Sequence, residues 1–408
     1  MSYAILTLET LPAYIRSKTA ELPAWFDASA KLEIAELSDG NLNAVYRVSS
    51  GAASLIVKQG LPYLRVAGEA WPLSAARAGF EALALEWQHR LARGSVPEPY
   101  MFDREMCVNI VEDLRGYQVA RKPMIDRLEI PELGSSIGGF LAKTLFGTSD
   151  FALEASVKKR LQAQFCNTEL CEITEDLIFT EPFEAQLLHG KTNRNHFDAD
   201  VKSALELMQR NAALKLEVAQ LKHHFMTAGQ ALLHGDLHTG SIMVNASGDL
   251  RVIDPEFAFY GPMGFDVGVF IANLYLNAIA QRGHAPNELE TRAYQAYLLG
   301  EARACWQAFS SGFTAQMLTA TSVSWRNAGF AQSLLLEVLR DACGFAGCEM
   351  IRRSVGFAHV LDVDSIADAQ TRVAVLEQNL RLGSTLILER HTISTYADFE
   401  TFIAEAFK

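Results

Sequence analysis

Between Ser241 and Asp254 the chain carries a short β-like island, turned at Gly248-Asp249, inside a stretch that otherwise reads mostly as helix. A hairpin brings its two ends together, so the residues flanking the island become neighbours in space. On one side stands His234-Gly235-Asp236-Leu237-His238-Thr239-Gly240-Ser241, and on the other Val252-Ile253-Asp254-Pro255-Glu256. Three acids, Asp236, Asp254 and Glu256, are therefore expected at one site. Like charges held together repel, and a bound Mg²⁺ is the usual way such a cluster becomes favourable.

Around the island the chain divides in two. Residues 1–115 read as a mixed unit. Glu9 to Glu21 predicts a helix; Leu32 to Leu37, Ala44 to Val48 and Ser54 to Lys58 predict strands. Ser74 to Arg93 has a helical apolar pattern, and two β-type runs follow at Pro97 to Phe102 and Met106 to Glu112. Gly116 and Tyr117 mark a linker. Beyond it Leu133 to Leu145, Ala155 to Phe165, Asp198 to Phe225, Leu289 to Ser310 and Arg372 to Leu388 keep a 3.6-residue rhythm. The fold class is thus α+β, with the two-lobed outline of a protein kinase: a small β-rich lobe over 1–115 and a larger, mostly helical lobe over 116–408.

The acidic balance, a net charge of −12, argues against a nucleic-acid partner, which calls for a basic stripe. The longest apolar run, Val267 to Ala280, is interrupted by Asn273 and Asn277 and is too short to span a bilayer. Residues 1–26 hold no signal-peptide core. The six cysteines match no zinc or disulfide spacing and read as buried, reduced thiols. A cytoplasmic protein is expected.

Phosphoryl transfer asks little covalent work of a protein. It needs metal ions to neutralise phosphate charge and a carboxylate to orient or accept the acceptor proton. Asp236 suits the second task; Asp254 and Glu256 suit the first. A protein kinase would place an Asn five residues after its catalytic Asp, but Ser241 stands there. Glu256 then compensates, because alternate residues of an extended strand end point the same way. His234 is read as a loop-shaping residue rather than a base, and His238 is left between a solvated residue and an acceptor contact. In the first lobe the turn Ser38-Asp39-Gly40-Asn41-Leu42-Asn43 lies where a phosphate-covering loop belongs, and Lys58 ends a strand from which an ammonium reaches the α and β phosphates. Glu81 is the preferred partner of Lys58, with Glu86 the alternative. Glu112-Asp113-Leu114, at the linker, is where adenine would meet backbone groups.

The runs 234–242 and 253–266 (Ile-Asp-Pro-Glu-Phe-Ala-Phe-Tyr-Gly-Pro-Met-Gly-Phe-Asp) resemble the 5-methylthioribose kinase family, and more distantly choline kinases and aminoglycoside phosphotransferases. Asp39-Gly-Asn-Leu-Asn43, Gly68-Glu-Ala-Trp-Pro-Leu73, Glu169-Leu-Cys-Glu-Ile-Thr-Glu-Asp176 and Met350-Ile-Arg-Arg-Ser-Val-Gly-Phe-Ala-His-Val360 extend the likeness over about residues 30–365. The resemblance implies transfer of the ATP γ-phosphate to the 1-hydroxyl of methylthioribose in methionine salvage, with Mg²⁺. Asp236 would be the base, Asp254 and Glu256 the metal ligands, Arg352 and Arg353 the substrate contacts, and the assembly a homodimer. Adjacent helical arginines point about 100° apart, so one is expected to face the site and the other to pair with an acid. Trp71 either covers the sugar or fills lobe packing. The competing readings are a kinase for choline, an aminoglycoside or homoserine, and a pseudokinase binding module. The paired arginines weigh against a cationic acceptor, and the presence of Lys58, Asp236 and Asp254 against a pseudokinase.

Overall fold

The computed structural model describes residues 3–37, 42–64, 68–188 and 190–407. Two units emerge, one comprising Met1–Tyr117 with Arg251–Ala258, the other Gln118–Leu250 with Phe259–Lys408. The α+β, two-lobed kinase-like class expected from the sequence is the one found. The partition differs from the expected 1–115 and 116–408 chiefly at Arg251–Ala258, a segment that packs with the first unit.

The first unit contains α1 (Leu11–Ser17), β1 (Leu32–Leu37), β2 (Asn43–Ser50), β3 (Ala53–Gly60), the short pair β4 (Tyr63–Leu64) and β5 (Gly68–Pro72), α2 (Ala78–Leu91), β6 (Pro99–Asp103) and β7 (Val108–Glu112). Five strands form an antiparallel sheet in the order β1-β2-β3-β7-β6. Its faces are set by the two-residue period of a strand. Leu55 and Val57 of β3 are buried with Tyr46, Val48, Val108, Ile110 and the α1 residues Leu11, Tyr14 and Ile15. Each such side chain contributes about 1.5–3 kcal/mol on leaving water. Lys58, one residue on, therefore points to the other face, the one α2 covers. It stands opposite Asn109 in the β3–β7 ladder, and Asn109 Nδ2 donates to the Ala78 carbonyl at the start of α2, 2.9 Å away.

In the second unit the apolar run Val267 to Ala280 lies inside the helix Gly264–His284, where every residue from Gly264 to Gln281 is buried. A helix apolar on all sides shows no amphipathic rhythm, so the sequence reading placed none there. The arginines were expected on a helix whose bounds the sequence did not give; that helix is Ala328–Val355, enclosed on every side over 342–355, and it packs against Gly264–His284 and Ala369–Glu389. That last crossing is close: a Cβ on Gly347 would sit 2.4 Å from the Gly383 carbonyl oxygen. Glycine is required at such an approach. The helix expected over Asp198 to Phe225 is broken into Lys202–Gln209 and Ala212–Thr227, the second capped by Asn211, whose Oδ1 accepts the Leu214 N–H at 3.1 Å.

The island turns as expected. Gly248 adopts φ +84°, and the Asn245 N–H donates to the Asp249 carbonyl at 3.1 Å. Its first strand, Ile242–Asn245, belongs to the second unit, while Leu250–Val252 leads the chain into the segment that packs with the first. There the Val252 N–H donates to Ser95 O at 2.8 Å. All six cysteines are free, but only four are buried, not the six expected; Cys171 is partly buried and Cys166 exposed. No helix among the described residues is long and apolar enough to cross a membrane.

Candidate active site

Within the first unit the α2-facing side of the sheet gathers five of the residues singled out. Lys58 Nζ lies 2.7 Å from Glu81 Oε1 and 2.5 Å from Asp254 Oδ1. Glu81 falls on the first turn of α2, facing β3, whereas Glu86 is exposed; of the two acids left open, Glu81 meets the lysine. Burial works against the Lys58 charge, yet Asp254, Glu81 and Glu256 outweigh it and hold its pKa above the ordinary value. Burial pushes the Glu81 carboxyl up, to about 7, with Lys58 pulling the other way. Asn43 Nδ2 donates to Glu256 Oε2 at 2.9 Å, and its Oδ1 accepts from Arg77 Nη2 at 3.0 Å. Arg77 Nε is 3.6 Å from the same Glu256 oxygen.

Asp254 and Glu256 do not lie on the extended strand end expected of them, and strand alternation does not align their side chains. Asp254 is left-handed, φ +64° and ψ +48°, a conformation Asp tolerates better than most residues, and Pro255–Phe257 is a 3₁₀ turn. The bend sends the two carboxylates to different partners: Asp254 to Lys58, Glu256 to Asn43 and Arg77. The Asp254 side chain stays 45% exposed while Lys58 is 10% exposed. Among the described residues no group of three or more His, Cys, Asp or Glu could hold a metal. Two hard carboxylates nonetheless suit Mg²⁺, which usually takes one or two acids and fills its remaining places with water and phosphate oxygens.

The expected adenine segment closes β7. Asp113 accepts from Arg47 Nε at 2.8 Å and from Ser54 Oγ at 2.6 Å, so its side chain is committed to the sheet. Although burial acts to raise it, those two donors hold its pKa below the usual carboxylate value. Glu112 Oε2 accepts the Glu98 N–H at 3.1 Å, and Leu114 is buried. Trp71 lies partly buried on β5. Asp39, Gly40 and Asn41 lie outside the described residues.

The second unit builds its site on the 234–241 loop. Asp266, buried in the first turn of Gly264–His284, accepts the His234 N–H at 2.7 Å and the Gly235 N–H at 3.0 Å. Gly235 turns the loop at φ +85°, and the Asp236 N–H donates to His234 Nδ1 at 3.3 Å. His234 is thus engaged in shaping the loop. Ser241 Oγ donates to the Asp236 carbonyl at 3.0 Å; it closes the loop where a metal-binding Asn would stand in a protein kinase.

The Asp236 carboxylate is held on three sides. Arg352 Nη2 and Arg353 Nη2 each lie 3.2 Å from Oδ1, and His238 Nε2 lies 3.2 Å from Oδ2. The Gly240 N–H donates to His238 Nδ1 at 2.9 Å, which assigns the ring proton to Nε2, facing Asp236. A Cβ on Gly240 would fall 2.7 Å from His238 Cε1, so only glycine allows this approach. Burial would raise the Asp236 pKa, but His238, Arg353 and Arg352 hold it well below the carboxylate range. Burial keeps His238 below its ordinary value against the pull of Asp236. The Asp236 side chain is 25% exposed, open enough to meet an acceptor.

The sequence reading expected the two arginines to divide their roles. Instead each does both. Arg352 Nε donates to Glu349 Oε2 at 2.6 Å and Arg353 Nε to Glu349 Oε1 at 2.8 Å, while both reach Asp236. Glu349 was missed, although its i,i+3 and i,i+4 spacing to the pair stood in the sequence. Asn273 Nδ2 donates to Glu349 Oε1 at 3.2 Å, and Arg121 bridges Asn273 and Asp362. Asn277 and Asn273, noted only as breaks in an apolar run, share one face of their helix and feed this network; Asn277 Nδ2 donates to Asp362 Oδ1 at 2.7 Å.

Residues 33–308 match the phosphotransferase enzyme family. The chain is 41% identical over 405 residues to a methylthioribose kinase of Bacillus cereus (strain AH187), an alignment covering 99% of this chain and 97% of that one. It is 41% identical over 388 residues to a methylthioribose kinase of Bacillus thuringiensis (strain Al Hakam), covering 95% and 93%. Among solved structures, a glucosamine kinase in complex with glucosamine, ADP and inorganic phosphate aligns over 91% of this chain and 85% of its own, with 15% identity and a TM-score of 0.49, a likeness too distant to add to the assignment.

Proposed function

Because this chain belongs to the methylthioribose kinase family, within the phosphotransferase enzyme family, we propose that it transfers the γ-phosphate of ATP to the 1-hydroxyl of 5-methylthioribose, a step of methionine salvage. The observation that carries the reading is the Asp236 carboxylate, a quarter exposed and held by Arg352, Arg353 and His238. A base clamped in this way stays ionised at neutral pH and keeps a fixed direction towards an incoming hydroxyl. Asp236 accepts the hydrogen bond of the 1-hydroxyl and takes its proton as the oxygen bonds to the γ-phosphorus and the bond from that phosphorus to the bridging oxygen breaks, releasing ADP. Arg352 and Arg353 fork onto the sugar hydroxyls or oppose charge on the transferred phosphoryl group.

In the first unit Lys58, fixed by Glu81, binds the α and β phosphates. Asp39, Gly40 and Asn41, with Asn43 at the start of β2, are the proposed phosphate contacts of this unit, and Glu112-Asp113-Leu114 meets adenine through its backbone. Asp254 and Glu256 are the residues that would hold Mg²⁺, which when bound neutralises phosphate charge. Trp71 contributes to the acceptor side. The working boundaries are an ATP-binding lobe over 1–115 and a catalytic lobe over 116–408, with Arg251–Ala258 lending the metal acids to the former. We further propose a cytoplasmic homodimer.

The test is phosphate transfer to methylthioribose, choline and kanamycin in parallel. Methylthioribose 1-phosphate should be the dominant product; strong turnover with a cationic acceptor alone would overturn the reading. Asp236→Ala should lower turnover at least about 10³-fold while calorimetry still detects ATP binding. Near-normal turnover would remove Asp236 from the chemistry.

A further inference from the structure

Two adjacent residues on an α-helix leave its axis about 100° apart. Arg352 and Arg353 nevertheless place one nitrogen each at the same distance, 3.2 Å, from the same oxygen, Asp236 Oδ1. Something has to turn them inward. Glu349 lies three residues before one and four before the other, on the helical face between them. It has no exposed surface, 0% of its side chain, and each of its oxygens accepts the Nε–H of one arginine. The third contact, from Asn273 Nδ2 on the neighbouring helix, fixes the carboxylate plane.

We infer that Glu349 is the positioning residue of the acceptor site: its carboxylate gathers the two diverging arginines by their Nε atoms and turns an Nη2 of each onto Asp236. A guanidinium is planar, so once Nε is fixed on one acceptor the direction of its Nη atoms is fixed as well. One carboxylate thereby aligns two forks. The inference rests on the kinase reading for its consequence in turnover, but its geometry is testable without turnover.

Two substitutions separate positioning from mere charge balance. Glu349→Gln keeps the shape but offers one acceptor oxygen and one amide group, so it can hold only one Nε–H. Glu349→Asp keeps the charge but is one methylene short. Each should lower kcat per folded molecule by about 10–100-fold, the usual loss when the support of a functional group is removed, with the KM for ATP within about twofold and the KM for the acceptor raised. A residue that only balanced buried charge would change melting and leave kcat per folded molecule intact, so a folded variant within about twofold of wild-type kcat overturns the inference.

Should both variants fail to fold, the wild-type protein decides. Its Arg352 and Arg353 Nε–H resonances, assigned in ¹⁵N-labelled protein, should exchange far more slowly than those of exposed arginines. Solvent-like exchange at either one overturns the inference. A wild type that does not phosphorylate methylthioribose sinks the kinase reading alone, because the exchange measurement is independent of it.

Discussion

The buried charge of Glu349 makes a quantitative prediction about acid stability. Burial alone would raise its pKa, yet Arg352 and Arg353 hold it at about 2, against an ordinary 4.5. At about 1.36 kcal/mol per pH unit, that difference corresponds to about 3 kcal/mol of folding stability at neutral pH. The sign follows from the direction of the change. A carboxyl whose folded-state pKa is depressed contributes above its unfolded value, and the contribution fades as pH falls from 4.5 towards 2. At pH 3.5 the unfolded form is about nine-tenths protonated and the native form hardly at all, so about 1 kcal/mol has gone.

Glu349→Gln cannot titrate. The difference in unfolding free energy between wild type and variant should therefore shrink by about 1 kcal/mol between pH 7 and pH 3.5, while carboxyls remote from the arginine pair, present in both proteins, cancel. Urea midpoints at a series of pH values measure it, provided the urea dependence of each transition is unchanged. A gap that stays constant, or widens as pH falls, would refute the idea that the arginine pair keeps this buried acid ionised.

Lys58→Met leaves Glu81 buried without its cation, and a broken buried pair costs about 3–5 kcal/mol. Glu81 is already raised to about 7 and rises further without the lysine. A raised acid stabilises below its unfolded pKa and loses that contribution as pH climbs through the folded one. The variant should fall further behind wild type in thermal unfolding between pH 5.5 and 8.5; a pH-independent deficit would contradict this. Gly240→Ala places a Cβ 2.7 Å from the His238 ring and should displace it from Asp236, lowering kcat about 10–100-fold with little change in melting. Wild-type kcat in that variant would show that the ring does not orient the carboxylate.

What the sequence made legible depended on the range of the physics behind each reading. The face Lys58 takes, the turn at Gly248 and the flanking Asp236 follow from a period of two and from turn chemistry, both local rules, although β3 runs two residues past Lys58 to Gly60. The segment Arg251–Ala258 does not, because its allegiance is decided by packing against α2, and no neighbour in sequence announces that. The bend at Asp254 is of the same kind: a left-handed Asp is permitted locally but required only by where the chain must go next.

Glu349 marks the boundary between the two kinds of information. Acid three and four residues ahead of two arginines is a pattern anyone can read, but on a solvated helix face it describes pairs worth about 0–1 kcal/mol each. The same spacing inside the protein holds a carboxylate at about 2 and aligns two guanidinium groups. Burial alone separates these outcomes. The helix Ala328–Val355 hides its burial because 342–355 are enclosed on every side, and enclosure on every side erases the amphipathic rhythm that would have shown which face was inside. Charged residues within a helix that shows no polar face are therefore the place to look for buried ionic triads, since a solvated helix carrying Glu349, Arg352 and Arg353 would have displayed a polar stripe around them.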